Sequence, residues 1–276
     1  MNTDLAQPTA LAGRAQRLAE LVFRKAADRL CAGTAATSGA AQYPLLLTAF
    51  LRKAIQTHRA VSLLCRARFA EDAEIILRST YEMWVAALFI ALDPSVRAGH
   101  YFAHMPRGFA TQVDRILGAM TAFPRVRQAL AVDTHALNSD RDALAQAAQQ
   151  SPHRFRWAKD AEGKPLDLTA MVAEVATHHP DTLPSELHQL AYGNLSMRAH
   201  TDPVCLADYF KIGPDGRLSF PPLPGENATH TLFTSGQLLL GLATLLADEL
   251  HLPEKAALVR VQRAYLHSIP MAASPN

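Results

Sequence analysis

Apolar residues recur at three- and four-residue steps over most of the chain, the spacing of helices that bury one face. Leu11, Ala15, Leu18, Val22, Ala26 and Leu30 give a first amphipathic helix, which ends in the turn-rich segment Gly33 to Ala41. Pro44 then stands where a first helical turn tolerates proline. From Leu45 to Asp93 neither Gly nor Pro occurs. One helix of that length would reach about 73 Å at ~1.5 Å per residue, too long for a compact domain. The apolar period lapses between Ala67 and Ala70, and Glu71 and Asp72 offer negative charge to a following helix N-terminus. The pattern therefore predicts two antiparallel helices, over 44–67 and 70–92.

Pro94 opens a further helix to about Met120, and Pro124 another to about Gln150 that Asn138-Ser139-Asp140 weakens in its middle. Ser151 to Pro165 is polar and reads as a loop, followed by shorter helices from Leu166 to Thr177 and from Pro184 to His200. Phe210-Lys211-Ile212 and Arg217-Leu218-Ser219-Phe220 flank Gly213-Pro214-Asp215-Gly216, a hairpin pattern. Helices over 228–250 and 253–267 complete the set. The expected architecture is mainly α: a multi-helix bundle with one small β-hairpin insertion at about 207–225. A single helical domain over 11–267 is expected, between a flexible N-terminus (1–10) and a flexible tail (268–276).

Composition narrows the class without naming it. The chain has 276 residues, 49% apolar and 19% charged, the make-up of an ordinary globular protein with room for a large core. A net charge of +2 gives no global case for nucleic-acid binding. Cys31, Cys65 and Cys205 are odd in number and lack C-x-x-C spacing, which argues against a disulfide framework or zinc ribbon and for a reducing cytoplasm. Met1 to Ala12 lacks the basic and apolar regions of a secretory signal. Leu232 to Leu246 falls short of the ~20 residues a spanning helix needs and contains Gln237, so it reads as a core helix and no membrane partner is expected.

Arg78 and Glu82 lie one helical turn apart within the apolar run Ile75 to Ile90. Charges are almost never fully buried unless paired, so the two are expected to satisfy each other. They are either a structural ion pair tying helices together or a site in which Arg78 holds an oxyanion and Glu82 orients it or acts as base. Tyr192, Ser196 and His200 share a second helical face, with Asn194 and Arg198 beside it. His200 could transfer protons there with Arg198 supplying charge; the plainer reading is a histidine at a helix C-terminus. Both sets are expected to meet where helix 70–92 joins helix 184–200.

No acidic residue occurs between Leu30 and Ala70, and Arg52, Arg59 and Arg66 are seven apart on one helix face. They span about 21 Å, enough to follow RNA or another polyanion, against the plainer reading of a solvated basic face. His100 and His104 have two-ligand spacing, but the glutamate of H-E-x-x-H is missing and no metal is expected. Nucleotide-binding glycine motifs and G-x-S-x-G are also missing, and no cofactor is expected.

Leu77-Arg78-Ser79-Thr80-Tyr81-Glu82, the aromatics of Phe155-Arg156-Trp157, and Tyr192-x-x-x-Ser196-x-x-x-His200 together resemble the uncharacterised helical family called domain of unknown function 5677. The likeness covers roughly 45–210 and implies a helical fold, in mostly bacterial proteins, with no agreed activity. A looser likeness is to the HEPN helical-bundle superfamily, whose ribonuclease members leave four to six residues between an arginine and a following histidine. Arg52/His58, Arg97/His104 and Arg260/His267 meet that window, but Lys53, Ala98 and Val261 stand where a suitable polar residue would follow the arginine.

Two functional expectations follow. The first is a binding or regulatory helical module with a small-ligand or protein partner, or a second copy of itself packed on helix 232–247. The alternative is a metal-independent phosphodiester-cleaving enzyme directed at RNA or nucleotides, with His200 moving protons, Arg78 and Arg198 stabilising phosphate charge, and Ser196 or Tyr192 fixing the imidazole.

Overall fold

In the computed structural model the structure describes residues 6–32, 39–122, 134–150, 157–160, 162–179, 211–212, 217–219 and 228–268. The helices among them are α1 (Ala6–Ala32), α2 (Gly39–Arg66), α3 (Ala70–Ala91), α4 (Pro94–Ala122), α5 (Thr134–Gln150), α6 (Leu168–His178), α7 (Ala228–Glu249) and α8 (Lys255–Ser268). The protein is mainly helical, as its periodicity requires. Lys211–Ile212 (β1) and Leu218–Ser219 (β2) pair antiparallel, Lys211 opposite Ser219 and Ile212 opposite Leu218. Residues 213–216 and most of the 207–225 insertion lie outside the described residues, as do the helix expected over 184–200 and residues 123–133.

The chain divides into two compact units, Met1–Leu92 with Met171–Asn276, and Asp93–Ala170. In the first, α7 is the hub, packing on α1, α2, α3 and α8. Its Leu239, Leu240, Leu242, Ala243 and Leu246 are fully buried. Each leucine so placed contributes about 1.5–3 kcal/mol relative to exposure. This helix is long and apolar enough to cross a membrane, yet most of its apolar window is covered by protein. On α1 the buried face is Leu11, Ala12, Ala15, Ala19, Val22 and Ala26, and its alanines let neighbouring backbones approach closely. Leu18 and Leu30, expected on that face, are only partly covered.

The break expected near 67–70 is present, and its geometry explains the lapse in periodicity. Arg68 takes a left-handed φ of 69°. Its N–H donates to the Cys65 carbonyl and that of Phe69 to the Leu64 carbonyl (2.8 Å), which closes α2 as a Schellman turn. His251 (φ 49°) ends α7 in the same way, with the Leu252 N–H donating to the Ala247 carbonyl. Pro44 differs from expectation: α2 begins at Gly39, so this proline is inside the helix. It forfeits one backbone bond, but Tyr43, Leu46 and Leu47 are buried around it and hold the helix together.

The second unit pairs α4 with α5. Asp93 caps α4, its carboxylate accepting from the Val96 N–H and the Ser95 hydroxyl, and Pro94 occupies the first helical position. Tyr101 meets the Trp157 ring edge-on at 5.0 Å. Asn138-Ser139-Asp140 does not interrupt α5.

Two glycines permit the close approaches of α7. A Cβ at Gly236 would stand 2.6–2.7 Å from ring atoms of Tyr265, and one at Gly241 would stand 2.6 Å from Trp84 Nε1. Tyr265 is fully buried and its ring packs against Phe233, so it has little room to retreat. Gly236→Ala should therefore destabilise the protein by about 1–3 kcal/mol despite the better helix propensity of alanine. Urea unfolding measures this; an unchanged or higher midpoint would show that the ring can move.

Candidate functional site

Glu71, Glu74, Arg78 and Glu82 follow one another at helical steps and form a polar stripe on α3. Burial falls along it. Glu71 is 9% exposed and Glu74 8%, whereas the side chains of Arg78 and Glu82 are 21% and 44% exposed. At the inner end Thr231 of α7, itself buried, donates its hydroxyl to Glu74 Oε1 at 3.1 Å. Cys65 lies at the same end, its thiol pushed up to about 12, chiefly by burial and further by the Glu74 carboxylate. A thiol held protonated in this way is no nucleophile at neutral pH. At the outer end Arg78 Nε donates to Glu82 Oε1 at 2.9 Å.

The pair expected from the sequence thus forms, but it is not sealed in the interior. From Trp84 to Ile90 α3 is buried on every side, while Ile75 and Ser79 one to two turns earlier are exposed. The apolar run is longer than the covered length of the helix. Arg78–Glu82 sits at the margin, where partial solvent access screens its Coulomb attraction below that of a sealed pair. Holding Arg78 by Nε fixes the plane of its guanidinium, the arrangement an arginine needs to recognise a carboxylate or phosphate. Tyr192, Ser196, Arg198 and His200 lie outside the described residues.

A second polar contact escaped the sequence reading. His58 follows Leu47, Leu51 and Ala54 on the inner face of α2 and is buried with them. Its Nε2 lies 3.3 Å from the Ala12 carbonyl and its Nδ1 2.8 Å from Ser235 Oγ. A carbonyl only accepts, so Nε2 carries the proton and Nδ1 accepts from the Ser235 hydroxyl. The neutral ring is thus fully used in joining α1, α2 and α7. Burial holds its pKa below the ordinary histidine value, against the smaller opposing effect of the Ala12 carbonyl. The signal was its position in the apolar register, which the adjacent basic residues masked.

Arg52, Arg59 and Arg66 are all exposed, as seven-residue spacing on an outer face requires. Arg59 Nη2 donates to Glu20 of α1 at 2.6 Å, and Arg66 Nε to the Ser62 carbonyl at 3.1 Å. Arg52 and His58, one of the arginine–histidine pairs of the HEPN likeness, fall on opposite sides of α2, one in solvent and one in the core. His100 is partly buried, and burial with the nearby Lys159 lowers its pKa. Among the described residues no three metal-ligating side chains come together there or elsewhere.

The sequence pattern of the family of unknown function DUF5677 matches residues 45–217, more than half of the chain. The protein belongs to this family, an uncharacterised group whose match contains α2 from its first core turn, all of α3 and the α3 polar stripe. No curated protein and no solved structure matches the chain. The HEPN likeness gains no support from these comparisons.

Two measurements test the buried contacts. Thr231→Val removes a donor to Glu74 at nearly constant volume and should lower stability by about 1 kcal/mol in urea unfolding; no loss would mean the hydrogen bond is energetically idle. Because the His58 pKa is lowered on folding, its neutral form contributes stability above the unfolded value near ~6.5, and that contribution fades as pH falls below it. The stability gap between the wild type and His58→Gln should accordingly narrow from pH 7.5 to pH 5. A gap that stays constant or widens would contradict a buried neutral imidazole.

Proposed function

We propose that the protein is a non-catalytic binding module in which the outer end of the α3 stripe contacts a ligand through Arg78 and Glu82. The observation that carries this reading is the gradient of burial along one helix face. A stripe anchored inside by Glu74 and Thr231 ends outside in an oriented guanidinium. A purely structural pair gains less at the margin than in the interior, because partial solvent access screens its attraction. An oxyanion, by contrast, gains a fixed planar donor. Because α3 is a continuous helix, occupancy at Arg78 can bias packing at α7, the physical basis of a regulatory role. We also read 207–225 as a hairpin insertion built on the β1–β2 pairing.

A phosphodiester-cleaving activity would rest on His200, Ser196, Arg198 and Tyr192, and no observation among the described residues favours it. Thermal-shift titration with inorganic phosphate, citrate and a mononucleotide tests the binding reading. At least one should raise the melting temperature of the wild type by several degrees. Arg78→Lys, which keeps the charge but loses the planar fork, should abolish that rise while its own unliganded melting temperature stays within about 2 °C of the wild type. No response from any of the three, or RNA cleavage that His200→Ala abolishes, would overturn the proposal.

A further inference from the structure

The charge of the chain is divided unevenly. Its first 70 residues carry ten Lys and Arg against three acids, whereas the remainder carries 17 against 22. A net charge of +2 for the whole therefore hides a strongly basic face on α1 and α2. On α2, Arg52, Arg59 and Arg66 are joined on the same stripe by Leu45 and Leu63, all at helical steps and all exposed. Leu63 is 60% exposed, more than any other large apolar side chain among the described residues. Just past the helix, Arg68 and Phe69 (46% exposed) continue the same mixture. No acidic residue of α2 interrupts it, and Glu20 of α1 meets it at Arg59.

The adjoining face of α1 adds Arg14, Arg17 and Arg24, which with Leu18 and Val261 of α8 line a shallow groove of about 410 Å³. Its one carboxylate, Glu20, is occupied by the Gln16 amide at 2.7 Å and by Arg59 at 2.6 Å. Arg14 and Arg17 have no ion pair among the described residues. Arginines here are spread over about 15 Å of α1 and about 21 Å of α2, far more than one small anion can reach. The groove is open and shallow, so it encloses no small molecule.

We propose that this α1–α2 face seats the protein on an anionic lipid surface, with Leu63 and Phe69 entering the boundary between headgroups and acyl chains and the arginines facing lipid phosphates and carboxylates. Basic charge alone would suit a polyanion equally well. The exposed leucine and phenylalanine among the arginines separate the two, because apolar side chains gain by leaving water for lipid and gain nothing from a phosphodiester backbone. Sequence inspection for a spanning helix finds no such surface, since a peripheral contact requires exposure and not length. This site is on α1 and α2 and is independent of the ligand contact proposed on α3.

Co-sedimentation of the full chain with vesicles tests it, using phosphatidylcholine alone and phosphatidylcholine with about 30% phosphatidylserine. Binding is expected only with phosphatidylserine and should weaken as salt rises. The double variant Leu63→Ser/Phe69→Ser should lose on the order of tenfold in partitioning, as should Arg52→Gln/Arg59→Gln/Arg66→Gln, while Phe109→Ser, an exposed change on α4, should not. Unchanged melting temperatures and circular dichroism confirm that the variants fold; a variant that does not is replaced by Leu63→Gln or Arg52→Gln alone. Failure to sediment with anionic vesicles overturns the proposal. So does retention of full binding by Leu63→Ser/Phe69→Ser, or binding of a single-stranded oligouridylate by a chain that ignores vesicles.

Discussion

Two hydroxyls one turn apart on α7, Thr231 and Ser235, lie buried in the helix at the hub of the first unit, and side chains from neighbouring helices answer them. A buried polar group left without a partner costs about 1–3 kcal/mol, a sizeable part of the net stability of a domain. α3 supplies Glu74 for Thr231, and α2 supplies His58 for Ser235. Burial of leucine and alanine brings the helices together but specifies their rotation and offset weakly, because it is non-directional. Hydrogen bonds at about 3 Å do specify them. A slip of one residue along α7 would turn both hydroxyls away from their partners, so these contacts fix the register on which Gly236 and Gly241 also depend.

The helices themselves were legible because a 3.6-residue period leaves a strong trace wherever one face is buried. Their ends were less so. The α2–α3 and α7–α8 connections close on left-handed Arg68 and His251, where the usual signal would be glycine. The first was found from the length limit on a single helix, a physical constraint independent of turn composition. Pro44 misled because a proline at a plausible first turn is indistinguishable in sequence from one tolerated a turn further in. Glu71 and Asp72 were read alike as charges for a helix dipole, yet Glu71 is buried and Asp72 exposed. Only the rotation of α3 against its neighbours separates them, and that is a tertiary fact.

The Arg78–Glu82 pair shows the same limit from the other side. Spacing alone was enough to expect the contact, since side chains four apart on a helix face each other. Its exposure could not be read, because an apolar run of sixteen residues, Ile75 to Ile90, does not reveal where neighbouring helices stop covering it. The distinction changes the chemistry. A sealed pair would be an internal strut, whereas this one is partly open to solvent, with 21% of the Arg78 side chain and 44% of the Glu82 side chain exposed.

The DUF5677 match ends at residue 217 and begins at residue 45, so it contains His58, Glu74 and the outer stripe but neither α1 nor α7. Two of its buried polar groups are nevertheless completed from outside: Glu74 by Thr231, and His58 by Ser235 on one side and Ala12 on the other. The apolar faces of α2 and α3 are likewise covered by α7. In this chain α2 and α3 are therefore not a separate folding unit to which flanking helices have been attached. α1 and α7 supply both apolar surface and specific acceptors and donors to α2, and α7 does the same for α3, so the position of α3 is set jointly by α2 and α7.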